Sequence, residues 1–397
     1  MQHVSALLRI LTCLLLLSVL TLSVTATGGS AITAIDTATL QLLPATTVPP
    51  VSPPATGAAS HALFDPVSGR FLATQDADTR RPMASTTKIM TALVVLETLS
   101  LTETVTVPTE AVGTEGSSIY LFAGEEITVE TLLYALLLSS ANDAAVALAI
   151  HSAGSIEAFA RLMNEKTAAM GLENTHFCNP HGLQDPAHYT TARELALITA
   201  AALQNKTFAK IVSTQRYSAP QIGTDACRLF LNHNRLLRTF DGAIGVKTGF
   251  TKASGRCLVS AANRNGLSLI AVTLNAPNDW RDHAALLEWG FSQYIAFAPE
   301  APPLSLPVVG GTVGEVRLLP SAAVSLTLPA QHPEITCITQ APRFLFAGFA
   351  AGEVRGKLLY YMGDELLAKV DLLTEQEVAA VREKPSLWER IKNLFGK

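Results

Sequence analysis

The stretch RRPMASTTKIMTALVVLE, residues 80–97, puts a serine at the start of a helical pattern and a lysine three residues later. That spacing brings Ser85 and Lys88 onto one helical face, about one hydrogen bond apart. Ile89, Leu93 and Leu96 recur at i, i+4 and i+7 with Met90 and Val94 beside them, which predicts a helix from Ser85 to about Leu99. A serine hydroxyl is a poor nucleophile until a neighbour takes its proton. Lys88 can take it only if its pKa lies well below that of a free lysine, and burial beside a second cation lowers it. Alone, the pair reads as a helix cap and a solvated lysine.

Two further motifs change that reading. Ser140-Ala141-Asn142 falls at a break between two apolar helical segments in residues 129–152, where its side chains can project into a cleft. Ser140 can relay a proton between Lys88 and a leaving amine, and Asn142 can hold Lys88 and a substrate backbone. Lys247-Thr248-Gly249 lies in an apolar strand pattern, read as an inner strand. Lys247 supplies the second cation, Lys247 and Thr248 suit a substrate carboxylate, and Gly249 leaves room for a substrate backbone. The backbone N–H groups of Ser85 and Phe250 are the candidate oxyanion donors. In this order the three motifs read as a serine acyl-transfer site of the penicillin-recognising type.

Outward from the motifs, residues 58–64 and 70–74 read as strands joined by the turn Asp65–Gly69, and residues 155–171 as a helix. Residues 173–189 are rich in turn-formers, and a helix follows over 190–204 from a Thr190 cap. Strands are expected near 244–249, 256–262 and 267–274, then a helix from about Asp279 to Phe297. Helices among hairpin-connected strands indicate an α/β (α+β) domain with an antiparallel sheet and a helical subdomain. Beyond the Pro-rich stretch 299–307, short alternating strands suggest a small all-β sandwich.

The chain has 397 residues and a net charge of −4, with Lys and Arg scattered, so it carries no electrostatic footprint for nucleic acid. Residues 1–26 read as a signal peptide with an apolar run from about Ile10 to Val24, which implies export. Residues 27–56 form a Thr/Pro-rich linker. Cys178, Cys227, Cys257 and Cys337 allow three pairings or none. No Cys-x-x-Cys or His-x-x-x-His is present, so neither metal nor cofactor is expected. Near the C-terminus Leu387, Trp388, Ile391, Leu394 and Phe395 share a helical face with Arg390 and Lys392 off it, the pattern of a helix lying on a membrane surface.

The segments RRPMASTTKIMTALVVLE, YALLLSSANDAAVALA, FCNPHGLQDPAHYTTARELA and GVKTGFTKASGRCLVSA resemble the low-molecular-mass D-alanyl-D-alanine carboxypeptidases, a family of serine-type penicillin-binding proteins. The resemblance runs from about residue 57 to the C-terminus. It implies a transpeptidase/β-lactamase-like catalytic domain over 57–298, a β-sandwich over 299–373 and a membrane-contact helix over 374–397. By match, Ser85 forms the acyl-enzyme, Lys88 is the base, Ser140 assists proton transfer and Lys247 binds the terminal carboxylate. Asn142, Thr248, Gly249 and Phe250 complete the substrate site. The implied substrate is a peptidoglycan stem peptide ending in D-Ala-D-Ala, and β-lactam antibiotics are the implied inhibitors. Phe250 departs from a common His, Ala141 from a common Gly, and Asn275 stands where Gly is expected. Arg281 is a further candidate carboxylate contact.

A serine β-lactamase shares the three motifs but needs a deacylation base, usually a Glu followed shortly by Leu-Asn. Glu173 lies in the right region in the unsuitable context GLENTHF, and the β-rich extension also argues against this reading. A non-catalytic wall-binding protein of the same fold is the second alternative.

Overall fold

A computed structural model describes residues 41–42, 51–223 and 225–381. The expected signal peptide, most of the linker and the C-terminal amphipathic segment lie outside the described residues. The chain divides into two compact units: residues 51–296 with 327–331, and residues 41–42, 297–326 and 332–381.

The first unit is built on a five-stranded antiparallel sheet. Its strands are β1 (Ser60–Asp65), β2 (Arg70–Gln75), β3 (Ala243–Thr251), β4 (Gly255–Arg264) and β5 (Leu267–Leu274), in the order β2-β1-β5-β4-β3. Period-2 alternation sends the residues of each strand to opposite faces. Ala62, Phe64, Val246, Val259 and Ile270 join the core formed with the helical subdomain. Leu63, Ala262 and Leu269 face the other way, against Leu286, Leu287 and Trp289 of a C-terminal helix at Asp279–Gln293. β3 is the edge of the sheet, not an inner strand as its apolar pattern suggests. Its middle is nevertheless buried, because the turn carrying Ser85 and the helix Lys206–Ser213 pack against it.

The helical subdomain comprises α1 (Lys88–Thr98), α2 (Val129–Leu138), α3 (Asn142–Ala153), α4 (Ile156–Ala169), α5 (Ala192–Gln204) and α6 (Lys206–Ser213). Residues 132–138 of α2 and 144–149 of α3 are buried on every side, which explains why those runs carry no charged residue. The expected helix at Ser85 instead begins as a 3-10 turn, Ala84–Thr87, and becomes α-helical at Lys88. The cap of α5 is Thr191, whose side chain accepts from the Glu194 N–H, not Thr190. Thr190 is tied up in a bridge to Arg81 and a hydroxyl contact with Thr175. α6 was not anticipated, although Asn205 caps it by accepting from Thr207 and Phe208, and Phe208, Ile211 and Val212 bury its inner face. The last helix of the unit ends at Gln293, and Tyr294–Phe297 is a strand.

The second unit is all-β, in line with its alternating sequence. Its strands are β6 (Leu304–Val309), β7 (Glu315–Pro320), β8 (Ile335–Gln340), β9 (Leu345–Phe346), β10 (Val354–Met362) and β11 (Glu365–Thr374). They pair in the order β8-β10-β11-β7-β6-β9, and Gln41–Leu42 adds a short strand to β11.

Candidate active site

Ser85 sits in the middle of the 3-10 turn, after Ala84 at φ +48°. That left-handed conformation costs an alanine about 1–2 kcal/mol, so the surroundings must impose it. Two glycines let the neighbouring backbone close tightly on the turn. A Cβ on Gly182 (φ +89°) would stand 1.9 Å from the Ala84 carbonyl oxygen, and one on Gly249 would stand 3.0 Å from the Ser85 nitrogen. Side-chain hydrogen bonds close the turn further. The Thr86 hydroxyl donates to the Met83 carbonyl, and the Thr87 hydroxyl donates to the Ala84 carbonyl while meeting His188 Nε2 at 2.8 Å. His188 Nδ1 accepts from the Cys178 N–H, so Nε2 carries the proton and donates to Thr87. Burial pushes His188 down to about 4, against the opposing charge of Asp185, so the imidazole is neutral.

Lys88 is fully buried and its Nζ donates to three oxygens: Ser85 Oγ at 2.9 Å, Asn142 Oδ1 at 2.6 Å and the His181 carbonyl at 2.8 Å. Burial, then the positive charge of Lys247, hold Lys88 well below the ordinary lysine range, with the Asp143 carboxylate opposing them. Lys247 is also buried, and loss of hydration lowers it to about 7. Its Nζ donates to the Thr248 carbonyl at 2.9 Å. Burial and the neighbouring Lys247 charge thus act in the direction the sequence demanded of Lys88, weakening its hold on a proton so that the amine can take one from Ser85.

Ser140 (φ +60°) occupies the break between α2 and α3 and is buried. Among the described residues its hydroxyl makes no hydrogen bond. An open cleft of about 330 Å³ gathers Ser85, Ser140, Thr248, Gly249 and Phe250 with Ser117, His233, Arg256, Asp279 and Trp280. Phe250 is 64 % exposed at this cleft. Arg281 does not line it: its side chain is 78 % exposed and its nearest acidic partner is Asp282, 4.0 Å away. The guanidinium in the cleft is that of Arg256, held by the buried Asp279 at 3.0 Å and lying 6.0 Å from the Trp280 ring centre. Asn275, at φ +51°, takes the backbone conformation for which glycine was expected, and asparagine is among the non-glycine residues that tolerate it best.

Of the nine candidate site residues singled out in the sequence, all but Arg281 therefore meet around one cleft or in its buried wall. The His181 carbonyl, Arg256, Trp280 and His188 were not found by sequence reasoning. Gly182 was the available signal for the first of these, because only glycine fits beneath Ala84. Among the described residues Cys178, Cys227, Cys257 and Cys337 are free thiols. Among the described residues no group of three or more His, Cys, Asp or Glu is placed to hold a metal ion.

An antiparallel sheet backed by a helical subdomain, with a serine and a buried lysine at their junction, defines the class of serine hydrolases that recognise penicillin. The profile of the D-alanyl-D-alanine carboxypeptidase peptidase family matches residues 47–278, and the chain belongs to that family. It is 34 % identical over 245 residues to the D-alanyl-D-alanine carboxypeptidase DacF of Bacillus subtilis, a match covering 60 % of this chain and 63 % of that protein. It is 30 % identical over 371 residues to the D-alanyl-D-alanine carboxypeptidase DacA of Haemophilus influenzae, covering 87 % and 92 %. The crystal structure of penicillin-binding protein 5 from Haemophilus influenzae superposes with a TM-score of 0.67 at 30 % identity, over 83 % of this chain and 99 % of that one.

Proposed function

We propose that this chain is a serine-type carboxypeptidase that removes the terminal D-alanine from peptidoglycan pentapeptide stems through an acyl-enzyme on Ser85. The observation that carries the reading is the 2.9 Å contact between Ser85 Oγ and the Nζ of a buried lysine whose charge is disfavoured. In this mechanism Ser85 Oγ attacks the carbonyl carbon of the penultimate D-Ala while its proton passes to Lys88. The backbone N–H groups of Ser85 and Phe250 receive the oxyanion. As the C–N bond breaks, the proton passes from Lys88 by way of Ser140 to the departing amine, and free D-Ala leaves. Water then hydrolyses the Ser85 ester by the same proton route in reverse. Asn142 holds Lys88 in place. Lys247, Thr248 and Arg256 bind the terminal carboxylate, and Gly249 lets the peptide lie along the edge of β3. β-Lactams acylate the same hydroxyl.

The reading extends to location. Residues 1–26 act as the signal peptide, and the enzyme works in the cell-wall space with residues 386–397 contacting the outer face of the cytoplasmic membrane. The contact proposed is a surface one because residues 386–397 set Leu387, Trp388, Ile391, Leu394 and Phe395 on one helical face with Arg390 and Lys392 off it.

The test is the intact mass of the protein over time with benzylpenicillin, alongside release of D-Ala from a pentapeptide stem. The reading expects a lasting adduct on Ser85, D-Ala release, and loss of both in Ser85→Ala. An adduct that turns over within seconds without D-Ala release would make the chain a β-lactamase. Absence of both adduct and release would leave a non-catalytic wall protein.

A further inference from the structure

Asn142 reaches Lys88 only because its amide is held the right way round, and the loop that holds it is itself built on the next residue. The Asn142 N–H donates to the Ser117 carbonyl at 2.7 Å, and Asn142 Nδ2 donates to the Glu115 carbonyl at 2.5 Å. With Nδ2 committed to the loop, Oδ1 is left to face Lys88 Nζ. The fit is close: a Cβ on Gly116 would stand 2.7 Å from Asn142 Nδ2.

This loop has no regular structure around Ser117, so something outside it must fix its course. Asp143, fully buried in the first turn of α3, does so. Its carboxylate accepts from the Ser118 hydroxyl at 2.6 Å, from the Ile119 N–H at 3.1 Å and from the Leu121 N–H at 3.1 Å. A fourth bond comes from the Ala144 N–H at 2.9 Å. Tyr120, between the two loop amides, is kept at φ +59°, a conformation that costs a tyrosine about 1–2 kcal/mol. All four donors are neutral dipoles, and among the described residues Asp143 forms no ion pair. Its negative charge is therefore held in place without being cancelled, and it opposes the other influences on Lys88 by strengthening that lysine's hold on a proton.

We propose that Asp143 is a positioning residue for the acylation step, fixing the 115–121 loop so that Asn142 presents its oxygen to Lys88, and placing a buried carboxylate directly beside Asn142. Asp143 touches neither substrate nor the reacting atoms. The groups that face Lys88 define the electrostatic half of the role: Lys247 from β3 and Asp143 from α3 carry charge, His181 from the 176–189 loop has its ring pushed down to about 3 by burial and by Lys88, and Ser85 and Asn142 are neutral. Lys247 weakens the hold of Lys88 on a proton, and Asp143 opposes it. Removing the Asp143 charge must lower the pKa of Lys88, extending the uncharged amine to more acidic conditions.

The inference rests on the acyl-enzyme reading above. Its test is the second-order rate constant for acylation by benzylpenicillin as a function of pH, measured on the full protein and on Asp143→Asn and Asp143→Ala, with thermal melts of each. Asp143→Asn keeps the shape and part of the bonding but removes the charge, and its acid limb is expected to move to lower pH by about half to one unit. Asp143→Ala also frees the loop, and a further rate loss of about tenfold or more is expected across the whole profile. A profile for Asp143→Asn that overlays the unsubstituted protein would overturn the electrostatic role. An acylation rate for Asp143→Ala within twofold of the unsubstituted protein would overturn the positioning role. Absence of D-Ala release by the unsubstituted protein would sink the carboxypeptidase reading alone, because the acylation profiles would still decide the role of Asp143.

Discussion

Gly249 and Ser85 approach so closely that a single methyl group on the strand would press against the nucleophile's own amide: the added Cβ would stand 3.0 Å from the Ser85 nitrogen and 3.2 Å from the Met83 carbonyl. The strand edge and the catalytic turn are thus in register at the level of individual backbone atoms. Gly249→Ala is expected to shift the turn by a few tenths of an ångström while leaving the sheet intact. Its acylation rate with benzylpenicillin should fall by about a hundredfold, with a normal far-UV spectrum. Retention of the full rate would mean that the turn tolerates displacement.

Lys247 makes the opposite electrostatic case to Asp143. Its charge opposes protonation of Lys88, so Lys247→Met should let Lys88 hold its proton more tightly and move the acid limb of the acylation profile to higher pH by about one unit. Folding stability should change in step. The folded protein disfavours the charged form of Lys247, lowering it from 10.5 to about 7. Between those values the unfolded chain binds the extra proton, so this group makes stability rise with pH across that window. Denaturant melts at pH 7.5 and 9.5 should show a smaller rise in Lys247→Met.

Arg256 is expected to act on binding rather than on chemistry. Loss of one charge-assisted hydrogen bond to the substrate carboxylate costs about 1.5–3 kcal/mol. Arg256→Gln should therefore raise KM for D-Ala release about tenfold or more while kcat changes little. An unchanged KM would remove Arg256 from the carboxylate site.

His188 links the turn to the 176–189 loop through Thr87, and its removal takes one of two partners from the buried Thr87 hydroxyl and the acceptor from the Cys178 N–H. His188→Ala should destabilise the protein by about 1–3 kcal/mol, read as a lower melting temperature. The same histidine should make the protein acid-sensitive. Its ring stays neutral when folded, down to about 4, whereas the unfolded chain takes up the proton near 6.5. Its contribution is therefore complete above pH 6.5 and is lost as pH falls from there towards 4. His181 and His283, each lowered to about 3 by burial, add to the same slope. Melting temperatures that are flat between pH 7 and pH 4.5 would contradict this account.

Membrane attachment has a direct check. Deleting residues 386–397 should move the exported protein from the membrane fraction to the soluble one, with acylation by benzylpenicillin unaltered. Unchanged retention in the membrane fraction would rule this segment out as the anchor.

Much of the architecture could be read in advance because it rests on periodicity. The alternation in β1, β4 and β5 and the apolar runs around Ser139–Asp143 are direct consequences of which faces are buried. The position of β3 could not be read that way. An edge strand covered by a turn and a helix has the same apolar pattern as a strand between two others. Within the site, Ser85, Lys88, Ser140, Asn142 and Lys247 were legible because side-chain chemistry restricts which residue can stand there. The His181 carbonyl was not, since any residue supplies a carbonyl and only the neighbouring Gly182 hints that the backbone comes close. Arg281 misled because its place just inside a helix gives no clue to its direction. Arg256 was passed over because, directly across from Phe250 on the neighbouring strand, it reaches the cleft only through sheet pairing.

The exposure of Phe250 separates two kinds of change open to this protein. Lys88, Asn142 and Lys247 are buried among atoms that also hold the fold together, so a change of side chain there disturbs packing as well as catalysis. The Phe250 ring projects into solvent at the mouth, while its main chain stays in the sheet pairing. Its size and polarity can therefore drift without disturbing the interior. A substitution at this rim position therefore alters what an approaching molecule meets without passing through the folded interior.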